Sequence, residues 1–530
     1  MGEFRYVAKA GVIIVGAGIA GLVAAVDLAR QGLRVTLLER AAAPGGKMRE
    51  IEVGGARIDA GPTVFTMRHV LDGLFADAGT ALSDHVTLQR ADILARHAWN
   101  GRERLDLFAD IDRSAEAIGA FAGRAEAEGF RDFCARARGV FATLDGPFMH
   151  AARPTPLSLV KAAGLSGAGD LWRIAPFTTL WRALGAHFRD PRLRQLFGRY
   201  ATYSGSSPFL APATLMLIAH VEQDGVWLVE GGMHRLASAL ADLATAQGAV
   251  LRYDAEVRAI TTAGGRATGV TLASGEHLDA DAVVVNADIG ALSAGLFGPA
   301  ASRAVVAPGA AERSLSAITW SMTARTAGFP LVRHNVFFSD DYPGEFEDIL
   351  TRRRLPAAPT VYVCAQDRDD RGAGAPEGTE RLFCLVNAPP TGDAGEFTAA
   401  EIRQCEETTF AHLARCGLTV ARHQEEMELT TPAMFNRLFP GSGGALYGRA
   451  MHGSMAAFRR PAAASKLAGL YLAGGGVHPG PGVPMAALSG RLAAARLLAD
   501  CSASTGRSRA TAMPGGMSMR SATTDSTASR

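Results

Sequence analysis

Residues 11–39 constrain this chain more than any other stretch. An apolar run, Gly11-Val-Ile-Ile-Val, leads into a glycine turn, Gly16-Ala-Gly18-Ile-Ala-Gly21. An apolar helical stretch follows, then a second run, Val35-Thr-Leu-Leu, that ends on Glu39. Strand, glycine turn, helix, strand and terminal acid in this order form the fingerprint of a dinucleotide-binding βαβ unit. Gly16 allows the tight turn, Gly18 lets backbone approach a pyrophosphate, and Gly21 lets the helix pack close to the sheet. The helix start offers unpaired N–H groups and positive partial charge to phosphate. Glu39 stands where a carboxylate can accept hydrogen bonds from an adenosine ribose, and it would repel a 2′-phosphate. Residues 12–29 are nearly all apolar, but Asp27, the three glycines and the missing basic flank argue against a membrane span or leader.

At 530 residues the chain exceeds one ordinary core, so two or three domains are expected. Its 54 basic and 52 acidic residues give a net charge of +2, with no sign of a nucleic-acid partner. Mean hydropathy is +0.09, which suits a large core or a surface that meets lipid. The six cysteines are scattered without a CxxC pair, so no metal site is expected, and with no secretory pattern a reducing cytoplasm is the expected compartment.

Residues 68–225 read as mainly helical. Residues 226–260 read as strand, Gly231-Gly232, helix, strand and strand. A hairpin is expected around Ala273-Ser-Gly-Glu276, and Ala282-Val-Val-Val-Asn286 reads as a buried parallel strand with a polar tip. Residues 361–364 and 381–387 read as strands. Residues 470–472 form a last strand before Gly474-Gly475-Gly476, and 484–500 a closing helix. The spacing predicts an α/β fold with a discontinuous Rossmann-like nucleotide-binding domain made of residues 10–70, 226–295 and 465–500. Residues 71–225 and 296–464 are expected to build a mixed α+β substrate-binding and membrane-associating region. Residues 501–530, rich in Ser, Thr and Arg, read as a disordered tail.

Two further motifs bear on chemistry. Gly45-Gly46-Lys47 exposes backbone N–H groups and adds positive charge near a pyrophosphate. Asp59-Ala-Gly61-Pro62 can bring backbone against a flat ring. The glycine wall at 474–476, followed by His478-Pro-Gly480-Pro-Gly482-Val-Pro484-Met485, precedes a helix whose N–H groups can face the electron-rich edge of a reduced flavin. His478 reads as a turn-capping histidine.

These motifs, with Val226-Trp-Leu-Val-Glu-Gly-Gly-Met233, Phe197-Gly-Arg-Tyr-Ala-Thr-Tyr-Ser-Gly-Ser-Ser-Pro208 and His220-Val-Glu-Gln-Asp-Gly-Val-Trp227, fall in order over nearly the whole chain. The chain resembles the bacterial phytoene-desaturase-type carotenoid desaturases within the flavin amine oxidase superfamily. More narrowly it is similar to the 1-hydroxycarotenoid 3,4-desaturases, or methoxyneurosporene dehydrogenases, of purple phototrophic bacteria. The resemblance implies FAD, held by Gly16, Gly18, Gly21, Glu39, Gly46, Lys47, Val257, Gly475 and Met485, with the Val257 backbone meeting adenine. It also implies an apolar tunnel for an acyclic C40 carotenoid and peripheral attachment to the cytoplasmic side of a membrane. The alternatives are a phytoene desaturase, a flavin amine oxidase and a non-redox carotenoid isomerase.

Desaturation removes a hydride and a proton from adjacent carbons, and Asp145, His220 and Glu222 are the polar candidates for receiving the proton. Residues 171–188 mix Trp172, Phe177 and Trp181 with Arg173 and Arg182, a pattern suited to a helical membrane-facing segment.

Overall fold

The computed structural model describes residues 10–163, 174, 176–369 and 376–511. Its centre is a five-stranded sheet in the order Leu470–Leu472, Ala282–Val285, Gly11–Val15, Arg34–Leu38, Val250–Arg252. Every neighbouring pair is parallel. The sheet therefore draws on three separated stretches of chain, as expected of a discontinuous Rossmann-like fold. Both of its faces are covered, which explains its unbroken apolar runs. Val12, Ile14, Leu37 and Val284 join one core, while Ile13, Val15, Leu38, Val283 and Val285 join the opposite one. The first core holds the helices Ile19–Ala29, His234–Ala246 and Val483–Thr511; the second is roofed by the three-stranded antiparallel sheet of Val257–Ala263, Arg266–Leu272 and His277–Asp279.

Backbone contacts set the spacing of these layers. A Cβ at Gly21 would stand 2.1 Å from the Gly16 carbonyl oxygen, so the close packing expected of this glycine is real. Where Val483–Thr511 crosses Ile19–Ala29, a Cβ at Gly490 would stand 2.3 Å from the Ala20 carbonyl oxygen. The last helix is continuous past Asp500 to Thr511, into the segment expected to be a disordered tail. Extending a formed helix adds one hydrogen bond per residue without a new nucleation cost, so an apolar period is not required. Residues 512–530 lie outside the described residues.

The second sheet has eight strands. Thr419–Ala421, Ser316–Ala327, Glu380–Ala388, Val361–Ala365, His334–Phe337, Ile93–Ala98 and Arg104–Phe108 follow one another, and Met427–Thr430 pairs with Ser316–Ala327. Two of these strands lie in the region read as mainly helical. Arg96 and His97 break the apolar alternation of Ile93–Ala98, which is held by pairing with His334–Phe337 far along the chain. Helices Ile111–Ala122, Arg124–Leu144, Pro191–Gly198 and Leu217–Asp224 contribute to a third core beside this sheet. A buried Gln366 ties the layers together: its carboxamide accepts from the Asp59 N–H at 3.0 Å and donates to the Asp59 carbonyl at 2.9 Å.

Gly490→Ala is expected to lower the thermal unfolding midpoint, at a cost of about 1–3 kcal/mol for the forced backbone shift. Gly139→Ala is the contrast, because a Cβ there meets nothing within 4 Å on an exposed helix face. It is expected to be neutral or to gain roughly 0.5–1 kcal/mol. Scanning calorimetry of both variants checks the pair; equal midpoints would show that the helix crossing yields freely.

Candidate active site

The glycine turn after the first strand is held from two sides. Gly16 N–H donates to the Leu38 carbonyl at 2.8 Å with φ at +100°, a conformation that favours glycine. The buried Glu39 carboxylate accepts the Ala17 N–H at 2.7 Å and the Ala41 N–H at 2.9 Å. Sequence reasoning gave Glu39 only a ribose to hold. In the structure it also sets the turn's shape, and each oxygen keeps a free lone pair for a ligand. Gly18 caps Ile19–Ala29 without a side-chain bond, leaving the helix start as a bare N–H cradle beside the cavity. Gly46 packs on it, since a Cβ there would come 3.3 Å from the Gly18 Cα. Gly16, Gly18 and Gly46 line the cavity with backbone alone, as a pyrophosphate bed requires.

The opposite wall is the 474–476 glycine segment and the start of Val483–Thr511. Asn286, the polar tip of Ala282–Val285, joins the two walls. Its Oδ1 accepts the Gly21 N–H at 3.0 Å and its Nδ2 donates to the Ala473 carbonyl at 3.1 Å. Any Cβ on Gly18 or Gly474 would stand 2.8 Å from that carboxamide. Arg460 supports the wall from behind, donating to the carbonyls of Gly475 at 2.9 Å and Arg449 at 2.6 Å. Burial pulls the Arg460 pKa down to about 10. In the sequence Asn286 is readable as the polar tip of a buried parallel strand, but not its role between the two walls, and nothing in the sequence points to Arg460. His478 is the structural histidine expected. Its Nε2 lies 2.9 Å from the Phe148 carbonyl, and burial holds its pKa at about 4.

Gly16, Gly18, Glu39, Gly46, Lys47, Val257, Gly475 and Met485 all line one cavity of about 1140 Å³. Gly21 lies behind it as a packing residue. Lys47 is engaged otherwise than expected: its Nζ donates to the Leu446 carbonyl at 2.7 Å and sits over the Phe439 ring. Burial lowers its pKa, and the Asp288 carboxylate pushes it back up.

The same cavity continues into an apolar chamber. One wall is a face of the eight-stranded sheet: Thr319, Tyr362, Phe383, Leu385 and Asn387, brought side by side by strand register. The alternate residues Ile318, Trp320, Val361, Val363, Cys384 and Val386 fill the core behind it. Of the three proton-acceptor candidates, only Glu222 reaches the chamber. It is buried, takes the Tyr200 hydroxyl at 2.7 Å, and burial raises its pKa. Asp145 lies outside the cavity lining beside His150 at 3.5 Å, and His220 packs edge-on against Phe141.

The described part of the expected membrane-facing segment 171–188 is mixed in exposure. Leu180, Leu184 and Phe188 are buried, and Trp181 packs at a tilt against Phe209 with the Arg194 guanidinium over its ring. Trp172 lies outside the described residues. Ring contacts take up Trp181 alone of the three aromatics that suggested an interface. Phe177 is 82% exposed and lines the cavity with the exposed Val160 of Pro156–Ala163, where Leu157 is exposed as well.

Behind the chamber, Asn387 Nδ2 donates to Glu345 at 3.3 Å, and Thr360 Oγ1 donates to it at 2.6 Å. Burial pushes the Glu345 carboxyl up to about 7. The folded chain thus favours the acid form, while the unfolded carboxyl titrates near 4.5. Its contribution is fully present below the unfolded value and is lost as pH rises through the folded one. Urea stability of the parent relative to Glu345→Gln is therefore expected to fall between pH 4.5 and 7. A difference that stays constant over this window would refute the raised carboxyl.

Comparison with known proteins agrees with this geometry. Residues 19–498 match the family of flavin-containing amine oxidoreductases. A hydroxyneurosporene desaturase of Rubrivivax gelatinosus is 57% identical over 97% of this chain and 98% of its own. A 1-hydroxycarotenoid 3,4-desaturase of a Flavobacterium species is 31% identical over 91% of this chain and 98% of its own. Among solved structures, a putrescine oxidase superposes with a TM-score of 0.55 at 15% identity, covering 93% of this chain and 99% of that one. The two glycine walls and the bare helix start suit a dinucleotide flavin, and the chain belongs to the flavin-containing amine oxidoreductase family, with FAD as its cofactor.

Proposed function

We propose that this flavoenzyme introduces the 3,4 double bond into 1-hydroxylated or 1-methoxylated acyclic C40 carotenoids. The observation that carries the reading is the near full-length similarity to hydroxyneurosporene desaturase, joined to an apolar chamber continuous with the flavin bed. In this reading residues 10–70, 226–295 and 465–500 are the FAD-binding domain, and 71–225 with 296–464 hold the substrate. Gly16, Gly18 and Gly46 lie against the pyrophosphate, Glu39 takes the ribose, Val257 meets adenine, and Gly475 and Met485 line the ring. Lys47 serves by fixing the Leu446 segment over the site. An amine oxidase would need an aromatic cage at the C-terminal glycine wall, and 474–476 is followed by Val477 and His478.

Desaturation breaks two C–H bonds on neighbouring carbons. One hydrogen departs as hydride, the other as a proton, and the electron pair of the second bond becomes the new π bond. Bound FAD supplies the two-electron acceptor for the hydride. The chain's own residues do the rest. The sheet wall around Leu385 and Phe383 holds the polyene and excludes water. Glu222, with its pKa raised by burial, is the carboxylate placed to accept the proton. Delocalisation of the allylic cation along the polyene means that a strong base is not required.

No described helix is long and apolar enough to cross a membrane. A C40 carotenoid resides in the bilayer, so the reading places the enzyme on the cytoplasmic face, with Leu157, Val160 and Phe177 dipping into lipid and Arg153 and Lys161 near the headgroups.

Two outcomes are expected. Glu39→Arg is expected to lose FAD on gel filtration, read from the ratio of flavin to protein absorbance. It removes two charge-assisted hydrogen bonds, each worth roughly 1.5–3 kcal/mol. Full flavin occupancy would refute the role of Glu39. In a host that accumulates 1-hydroxyneurosporene, the chain is expected to yield the 3,4-desaturated product, and Val160→Ser with Phe177→Ser is expected to reduce both this yield and binding to anionic liposomes while flavin content holds. Conversion of phytoene but not of 1-hydroxyneurosporene would overturn the substrate, and unchanged liposome binding would overturn the docking face.

A further inference from the structure

A charge with few partners stands inside the apolar chamber. Arg199 lines the cavity and donates from Nη1 to the Tyr203 hydroxyl at 3.1 Å. That uses one of five donors. Among the described residues no carboxylate lies in ion-pair distance of it; Glu222, which takes the Tyr200 hydroxyl, shares Tyr203 with it and favours its charge from farther off. The rings of Tyr203 and Tyr362 lie 5.2 and 5.4 Å from the guanidinium. Tyr362 in turn is fixed by Thr63 at 2.7 Å and by His334 at 2.8 Å. Thr63 follows Gly61-Pro62, the turn that can bring backbone against a flat ring, and all three line the same cavity, which in the reading above puts the cluster at the reacting end of the chamber.

A desolvated guanidinium with open donors costs free energy unless a ligand accepts them. A pure hydrocarbon substrate has no acceptor to offer. The substrate class proposed above carries an oxygen on C1, and only C2 separates it from C3, the first carbon of the bond to be oxidised. An oxygen site for such a molecule must therefore stand beside the hydride-accepting position, where this cluster lies. Alcohol and methyl ether both present lone pairs, so one guanidinium serves both.

Resting on that reading of the enzyme, we infer that Arg199, oriented by Tyr203 and Tyr362, holds the C1 oxygen of the substrate, selecting oxygenated over hydrocarbon chains and fixing which bond is presented. Arg199 is here a specificity and positioning residue. The test is anaerobic single-turnover bleaching of the FAD-loaded enzyme in liposomes, with 1-hydroxyneurosporene and neurosporene as paired substrates. The parent is expected to prefer the hydroxylated substrate. Arg199→Met is expected to cut that preference roughly ten- to hundredfold with flavin content retained. Arg199→Lys should restore part of it, and Tyr362→Phe, which leaves the charge in place, should weaken it less. If Arg199→Met fails to fold, the graded loss in Arg199→Lys and Tyr362→Phe decides. A parent that does not discriminate overturns both this inference and the reading beneath it. A discriminating parent whose variants keep the same ratio overturns the inference alone.

Discussion

The carboxamide of Asn286 is the contact on which the site depends. It accepts from Gly21 in the first glycine turn and donates to Ala473 at the entrance of the last, 187 residues away from itself along the chain. One planar group thus sets the separation of the two walls. Neither wall could hold this spacing alone, because both are glycine backbone with no side chains to pack. Gly18 and Gly474 are glycines for the same reason: a Cβ on either would meet the carboxamide at 2.8 Å. Arg460 and Ser489 complete the restraint, the first by donating to the Gly475 carbonyl, the second by accepting the Gly474 N–H at 3.1 Å.

The parallel sheet was legible because its signals are local. Apolar runs, glycine turns and the hairpin around Ala273-Ser-Gly-Glu276 carry their period or their turn chemistry within a few residues. Strands 361–364 and 381–387 were read nearly at their observed limits. Strand Ile93–Ala98 was not, because its stability comes from pairing with His334–Phe337, a partner no local window contains. Among site residues, those defined by backbone freedom were readable. Glu39 and Lys47 were found, but their side-chain partners depend on tertiary placement. Arg199, Tyr203 and Tyr362 lay in full view, yet nothing in their spacing reveals that three elements point them into one chamber.

Electrostatics around the chamber is uneven in a way that suits an apolar substrate. His97 and His334 are held neutral, each with its pKa pulled to about 3 by burial. Glu222 is shifted toward its acid form, again chiefly by burial. The guanidinium cannot shed its proton, so it carries charge whether Glu222 is ionised or not. Polarity is thereby concentrated at one place rather than spread along the wall, and the polyene beyond it meets aromatic and aliphatic surface.

The wall itself has a property that reaches past any single substrate. Along each strand of the eight-stranded sheet, residues facing the chamber alternate with residues locked into the core: Thr319 between Ile318 and Trp320, Leu385 between Cys384 and Val386. A change on the inner face leaves the packing behind it untouched, so each inward position can vary almost independently of fold stability. The glycine contacts at Gly16, Gly18, Gly21, Gly61 and Gly474 allow no such freedom, since a Cβ on any of them would press on backbone or on the Asn286 carboxamide. Evolution is thus offered a rigid half and an editable half in one cavity, and new chain lengths or end groups can be explored while the redox centre stays as it is.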